Sequence, residues 1–120
     1  MRLHHHYVLI VEDEIFIAMD LEATIRDAGA EVIGPALSAP QALRLIEMQE
    51  VTVAVLDVHL GDHDSLPVAR RLEDQGIPFV FHTGNHRNEV SPQDWPKAPV
   101  VKKPSTPETL VSALVAVANK

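Results

Sequence analysis

Residues 53–61 read Val-Ala-Val-Leu-Asp-Val-His-Leu-Gly. The apolar run at 53–56 is rich in β-branched valine, which is typical of a strand buried on both faces of a parallel sheet. The run ends on a carboxylate, Asp57, and the Gly-Asp pair at 61–62 then stops the strand. Because ligands of open α/β sheets bind outside the carboxyl ends of the strands, Asp57 is a candidate functional residue, with an ordinary turn residue as the alternative.

Composition limits the classes of protein to consider. The chain has 120 residues, of which 46% are hydrophobic, enough for one domain with its own core. It has no cysteine, which excludes a disulfide framework and thiol chemistry. The formal net charge of −7 argues against binding nucleic acid through its phosphates and suits a cation or a basic partner surface. No apolar run reaches the roughly 20 residues of a membrane span and no signal peptide is visible, so we expect a cytoplasmic protein.

The chain opens with six residues that include His4, His5 and His6. Consecutive residues on an extended segment point in different directions, so a metal site made by these three histidines is disfavoured. We therefore interpret residues 1–6 as an N-terminal extension or a tag remnant, and residues 7–120 as the domain.

Strand and helix patterns alternate on both sides of the central strand. Apolar runs predict four further strands, at residues 7–11, 31–34, 77–81 and 100–102. The stripe made by Ala18, Leu21 and Ile25 predicts the first helix, which Gly29 ends. Such alternation predicts a doubly wound α/β fold with five parallel strands and helices on both faces.

Local signals predict where the other helices begin. Ser38 and Gln41 form a capping-box pattern ahead of the second helix, and the third helix is expected over residues 65–75. A Ser-Thr-Pro-Glu start at 105–108 precedes the last helix. The tract 82–99 is polar and holds a third of the nine prolines. An interior proline costs about 3 kcal/mol, so the fourth helix is expected to be irregular or short.

Polar side chains follow four of the five predicted strands. They are Glu12 and Asp13 after the first, Asp57 at the end of the third, Thr83 after the fourth and Lys103 after the fifth. The carboxyl ends of parallel strands lie at one edge of a sheet, so we expect these residues to meet there. Each alone has an ordinary explanation as a helix-start acid, a turn hydroxyl or a solvated lysine.

The chemistry open to this set is narrow. Crowded carboxylates repel one another, and their pKa values rise unless a cation neutralises them. Such oxygen ligands suit Mg²⁺, while a lysine would balance the remaining charge and a hydroxyl would hold anionic oxygens. The combination indicates a phosphoryl site, in which a carboxylate can itself be the nucleophile. The sequence has no glycine-rich P-loop, so nucleotide binding is not indicated.

Four short motifs resemble those of the receiver domain of two-component response regulators, which has the flavodoxin/CheY-like fold. They are Val-Glu-Asp-Glu at 11–14, Val-Leu-Asp-Val at 55–58, His-Thr-Gly at 82–84 and Lys-Lys-Pro at 102–104. The resemblance covers the chain from Tyr7 to the last helix. It implies a bacterial phosphoprotein that accepts a phosphoryl group from a sensor histidine kinase or a phosphotransfer protein. It further implies that the protein signals to a downstream protein by direct contact and is not an enzyme.

The resemblance also implies roles for the site residues. Asp57 would be the phosphoacceptor and form an aspartyl phosphate. Glu12 and Asp13 would hold Mg²⁺, with Asp13 and Asp57 as direct ligands and the backbone carbonyl of His59 as the third protein ligand. Thr83 would hydrogen-bond the phosphoryl group and act as the switch.

A lysine is implied to pair with the phosphoryl group. Lys103 is preferred because it precedes Pro104, as in the family motif, and the family often has a cis peptide at this bond. Lys102 is the competing candidate. Strand alternation sends the two lysines to opposite sides, so they are not equivalent.

The chain departs from the usual family pattern at Val100, where most receivers carry Tyr or Phe. Together with Phe-His-Thr-Gly at 81–84, this resembles a stand-alone receiver subgroup of alphaproteobacteria with a Phe-x-Thr-Gly strand end. That subgroup is often served by kinases of the HWE type. Valine is stiff and cannot act as an aromatic rotamer switch, so the segment 85–98 is expected to be mobile and to become ordered on phosphorylation.

Two other functions compete with this interpretation. A Mg²⁺-dependent phosphohydrolase with an aspartyl nucleophile usually has a second acid two residues on, where this chain has His59. A pseudo-receiver would be expected to have lost Asp57, Asp13 or Lys103, and all three are present. A phosphate-sink protein stays open as a variant of the leading hypothesis.

Overall fold

The computed structural model describes residues 2–60, 63–84, 95 and 97–119, with only the backbone described for residues 63 and 64. Most of the tract 82–99, where an irregular or short fourth helix is predicted, lies outside the described residues, at 85–94 and 96. Most of the segment 85–98, to which the sequence assigns the signalling role, lies outside them as well.

A parallel sheet forms the centre of the fold. Its five strands are β1 (Tyr7–Val11), β2 (Glu31–Ala36), β3 (Val53–Asp57), β6 (Phe79–Thr83) and β7 (Val100–Lys102), in the spatial order β2-β1-β3-β6-β7. Every neighbouring pair is parallel, which confirms the predicted sheet. A short antiparallel pair, β4 (His59–Leu60) and β5 (His63–Asp64), follows β3 and was not predicted.

The second strand runs further than the sequence pattern indicates. Its predicted end lies at Gly34, but pairing with β1 resumes after a register shift, where Val11 lies opposite Ala36. Gly34 has a φ of +97°, and a Cβ built there would lie 2.6 Å from the backbone nitrogen of Ala36. Glycine is therefore needed at this close approach.

Helices cover both faces of the sheet. Within the described ranges they are α1 (Ile15–Asp27), α2 (Ala39–Met48), α3 (Leu66–Asp74) and α4 (Pro107–Ala118). Ser38 caps α2 by accepting a hydrogen bond from the Gln41 backbone N–H at 3.3 Å. In the predicted capping box the Gln41 side chain would accept from the backbone N–H of Ser38. It accepts instead from the N–H of the preceding residue, Leu37, at 2.7 Å. None of the described helices is long and apolar enough to cross a membrane.

The core has two layers, one on each side of β3. All five residues of β3 are buried. Val53 and Val55 pack with α1 and α4, whereas Ala54 and Leu56 pack with α2 and α3. The unbroken apolar run in the sequence is explained by this burial on both faces. Asp57 is left at the carboxyl end of the most central strand.

Residues 2–6 are in contact with the rest of the domain. Leu3 is fully buried among α1 and α4 side chains, and its backbone N–H donates to the carbonyl oxygen of Ala28 at 2.8 Å. Arg2 forms a salt bridge of 2.8 Å with Glu108 of α4. The ring nitrogen Nδ1 of His6 lies 2.8 Å from the hydroxyl of Thr52. The proposed domain boundary before Tyr7 therefore passes through packed structure.

Leu3→Ala is expected to lower the free energy of unfolding by about 2–4 kcal/mol, because it leaves a cavity in a fully buried site. Urea unfolding followed by circular dichroism measures the change. Leu37→Ala is the matched control, since that leucine is 43% exposed. The free energy of unfolding of Leu37→Ala should fall by less than about 1 kcal/mol. Equal losses in the two variants would mean that residues 2–6 add nothing to the core.

Candidate functional site

Strand order brings the carboxyl ends of four strands together. β3 pairs with β1 on one side and with β6 on the other, and Asp57 lies opposite His82 in register. β7 adds to the far side of β6, with Thr83 opposite Lys102. The residues at or just after these strand ends therefore share one edge of the sheet, as the sequence predicts.

Three carboxylates cluster at this edge. Glu12 is fully buried, Asp57 is 7% exposed and Asp13 is partly buried. One carboxylate oxygen from each of these residues lies within 4.8 Å of the others. Glu12 and Asp13 come from the turn between β1 and α1, and Asp57 comes from the end of β3.

Both carboxylate oxygens of Glu12 are engaged. Oε2 accepts a hydrogen bond from the Glu14 backbone N–H at 3.1 Å, just ahead of α1. Oε1 lies 2.8 Å from the ammonium nitrogen of Lys103. Glu12 is therefore fixed by its own chain and by a cation from the opposite side of the site.

Lys103, and not Lys102, reaches the carboxylates. Its ammonium nitrogen lies 3.3 Å from Oδ1 of Asp57 and its side chain is 13% exposed. Lys102 is exposed to solvent. The Lys103–Pro104 peptide bond is cis, as the family resemblance suggests.

The charges around Asp57 do not balance. Burial, followed by hydrogen bonding to and repulsion from Glu12, raises the pKa of Asp57 to about 7, although Lys103 acts in the opposite direction. Burial alone would lower the pKa of Lys103, but its bonds to Glu12 and the charge of Asp57 outweigh burial and raise it. The site thus carries more negative charge than one lysine neutralises.

Thr83 and His59 occupy the positions expected from the sequence. Thr83 is buried at the end of β6, and its carbonyl oxygen accepts from the Lys103 backbone N–H at 2.7 Å. His59 begins β4, two residues after Asp57, and its side chain is exposed. The role of its backbone carbonyl as a metal ligand stays a prediction.

Sequence reasoning assigned no role to one polar residue beside the site, His82. It is buried next to Thr83, and its ring nitrogen Nε2 lies 3.1 Å from the hydroxyl of Ser105. The signal in the sequence is a histidine inside the apolar strand 79–83. The partner could not be read from the sequence, since it lies 23 residues away.

This arrangement suits a hard cation and a phosphoryl group. Mg²⁺ takes one or two carboxylates and keeps other positions for water or substrate oxygens. Glu12, Asp13 and Asp57 each offer one carboxylate oxygen to such a cation. Burial, with Glu12 beside it, raises the pKa of Asp57, and a bound divalent cation would instead favour the charged carboxylate. The donor set of this chain therefore fits Mg²⁺.

Comparison with known proteins places the chain beside bacterial regulators. The family model described as "Response regulator receiver domain" matches residues 8–115. The transcriptional regulatory protein PdtaR of Mycobacterium tuberculosis is 31% identical over 84 residues, which is 69% of this chain. The phyllosphere-induced regulator PhyR of Methylorubrum extorquens is 32% identical over 111 residues, which is 90% of this chain. The matched part is 41% of the length of each regulator.

A solved structure agrees over nearly the whole length. The solution structure of SdrG from Sphingomonas melonis Fr1 superposes with a TM-score of 0.83 at 36% sequence identity. The match covers 98% of both chains. The five-stranded fold thus has a close structural counterpart.

Asp57→Asn is expected to raise stability at alkaline but not at acid pH when no divalent cation is present. Folded Asp57 has a pKa of about 7 against an ordinary value of 3.8. Between these values the folded state holds more protons than the unfolded state, so the free energy of unfolding falls as pH rises. The variant loses this fall, and its advantage over wild type should grow by about 1–3 kcal/mol from about pH 5 to about pH 8.

Chemical unfolding in EDTA at several pH values measures this difference. Asp20→Asn is the control, because Asp20 is an exposed carboxylate on α1. The comparison separates the effect of Asp57 from that of removing any one negative charge. A pH-independent effect of Asp57→Asn would mean that the carboxyl of Asp57 titrates normally.

Proposed function

Since the chain belongs to the response regulator receiver domain family, we propose that it accepts a phosphoryl group on Asp57 and passes a signal on through protein contacts. The observation that carries this proposal is the pairing of Asp57 with Lys103. A buried carboxylate ends the central strand, and an ammonium group lies 3.3 Å from it. A nucleophile thus already lies beside a cation that can pair with the negative charge of a phosphoryl group.

The phosphoryl donor in the proposed reaction is a phosphohistidine of a histidine kinase or a phosphotransfer protein. A carboxylate oxygen of Asp57 forms a bond to phosphorus while the bond between phosphorus and the donor imidazole nitrogen breaks. The electron pair stays on that nitrogen, which takes up a proton. The chain thus gains an acyl phosphate and the donor regains a neutral imidazole.

The neighbouring residues have distinct tasks in this proposal. Asp13 and Asp57, with the backbone carbonyl of His59, would hold Mg²⁺. When bound, Mg²⁺ supplies positive charge to the carboxylates and to the phosphoryl oxygens. Lys103 would pair with the phosphoryl group from the β7 side, and the hydroxyl of Thr83 would donate a hydrogen bond to it. Catalysis is then positioning and charge neutralisation, as in other phosphoryl transfers.

The phosphorylated site is proposed as the product itself and not as an intermediate of an enzyme. Hydrolases with an aspartyl nucleophile usually carry a second carboxylic acid two residues after the nucleophile. The position two residues after Asp57 holds His59, whose side chain is exposed on β4. This supports a phosphoacceptor that governs its own phosphorylation and dephosphorylation.

The apolar start of α1 is the proposed docking position of the phosphoryl donor. Phe16 is 80% exposed, Met19 is 56% exposed and Ile15 is 49% exposed. These side chains lie in the first turns of α1, which begins two residues after Asp13. An apolar surface there would let a partner place its phosphohistidine over Asp57.

Asp57→Asn is expected to abolish phosphorylation. Wild-type chain incubated with acetyl phosphate and Mg²⁺ should gain the mass of one phosphoryl group in intact mass spectrometry. No gain is expected when EDTA is present from the start of the incubation. The amide of asparagine has no nucleophilic carboxylate, so the variant should gain nothing. Asp20→Asn, an exposed carboxylate on α1, should label like wild type. Full labelling of Asp57→Asn would place the phosphoacceptor elsewhere.

The two lysines should differ in their effect on the rate. Lys103→Ala removes the cation 3.3 Å from Asp57 and should slow phosphorylation roughly tenfold or more, the equivalent of one hydrogen bond to a charged group. Lys102→Ala removes an exposed charge from the neighbouring residue and should change the rate less than about twofold. Time courses of labelling measure both rates, with circular dichroism to verify folding. The reverse ranking would assign the site to Lys102.

A further inference from the structure

His82 is an unusual residue for its position. It is 3% exposed, lies in β6 between Phe81 and Thr83, and is paired in register with Asp57 of β3. Burying a polar ring inside an apolar strand is costly unless the ring is hydrogen-bonded. The proposed phosphoryl transfer assigns no role to His82 and so does not explain why this histidine is buried there.

Ser105 is the hydrogen-bonding partner of this ring. Nε2 of His82 lies 3.1 Å from Oγ of Ser105, and Nδ1 has no hydrogen-bond partner among the described residues. Burial, followed by the positive charge of Lys103, lowers the pKa of His82 to about 4. The ring is thus neutral at neutral pH, and it adds no second positive charge beside Lys103.

The loop that carries Lys103 is attached to β6 at two points. The Lys103 backbone N–H donates to the carbonyl oxygen of Thr83 at 2.7 Å. Two residues later, the Ser105 hydroxyl is bonded to His82. Consecutive residues of β6 therefore hold both ends of the tripeptide 103–105. Between these points the Lys103 side chain extends to Glu12 and Asp57.

Gly84 lies beside that side chain. A Cβ built at Gly84 would lie 3.4 Å from Cδ of Lys103, in van der Waals contact with it. The lysine stem thus passes close over the end of β6. Its path depends on where the tripeptide 103–105 is held.

We propose that His82 and Ser105 are positioning residues, which hold the loop 103–105 so that the ammonium group of Lys103 meets Asp57. This inference rests on the proposed phosphoacceptor function. Neither residue touches the phosphoryl group. Without their hydrogen bond the loop loses one of its two attachments to β6, and the ammonium group spends less time at Asp57. The pair thereby sets the rate of phosphoryl transfer to and from Asp57.

Ser105→Ala tests this role, because it removes only the hydroxyl. Labelling with acetyl phosphate and Mg²⁺ should slow roughly threefold to tenfold, the effect of one neutral hydrogen bond. Ser105→Thr keeps a hydroxyl and should restore most of the rate. Ser112→Ala is the matched control on α4, since its hydroxyl bonds to Glu108, away from the site. It should label at the wild-type rate.

A double-mutant cycle separates positioning from a general structural effect. If Ser105 acts through Lys103, then Ser105→Ala should cause no further loss of rate in a Lys103→Ala background. A further threefold to tenfold loss in that background would overturn the inference, and so would a wild-type rate in Ser105→Ala alone. Both results leave the proposed function intact as long as wild type is labelled and Asp57→Asn is not. Absence of labelling in wild type would overturn the proposed function and, with it, this inference.

Discussion

The ammonium group of Lys103 is the charge on which the functional edge of the sheet depends. It lies 2.8 Å from Oε1 of Glu12 and 3.3 Å from Oδ1 of Asp57. Both carboxylates are buried at the ends of apolar strands, where an unpaired negative charge would be strongly destabilising. The turn after β1, the end of β3 and the loop after β7 must therefore meet, and strand order allows this because β1 and β6 flank β3.

The sequence predicts this edge well because strand ends in a parallel sheet are constrained. The apolar runs establish where strands stop, and the carboxyl ends of parallel strands then lie side by side. Glu12, Asp13, Asp57 and Thr83 follow from that rule alone. The choice of Lys103 over Lys102 needed the family motif, and the structure places Lys103 at the carboxylates and leaves Lys102 exposed.

The features that the sequence did not predict depend on distant partners. Leu3 is buried because its backbone bonds to Ala28 and its side chain packs against α4. The first six residues of the sequence contain no signal for these contacts. The bond between His82 and Ser105 joins residues 23 positions apart. Pro35 is accommodated in β2 through a register shift against β1. Local patterns report the preferences of one segment, whereas these contacts depend on how two segments fit together.

The position of β7 gives the two halves of the site unequal stability. β7 has three residues and pairs with β6 at the edge of the sheet that the described residues form, whereas β3 lies in the middle of that sheet. Edge elements with few contacts open locally at lower free energy than central strands do. The lysine thus follows a strand that is expected to open at lower free energy than the strand that ends on the nucleophile. Charge compensation can be withdrawn from Asp57 without dismantling the core.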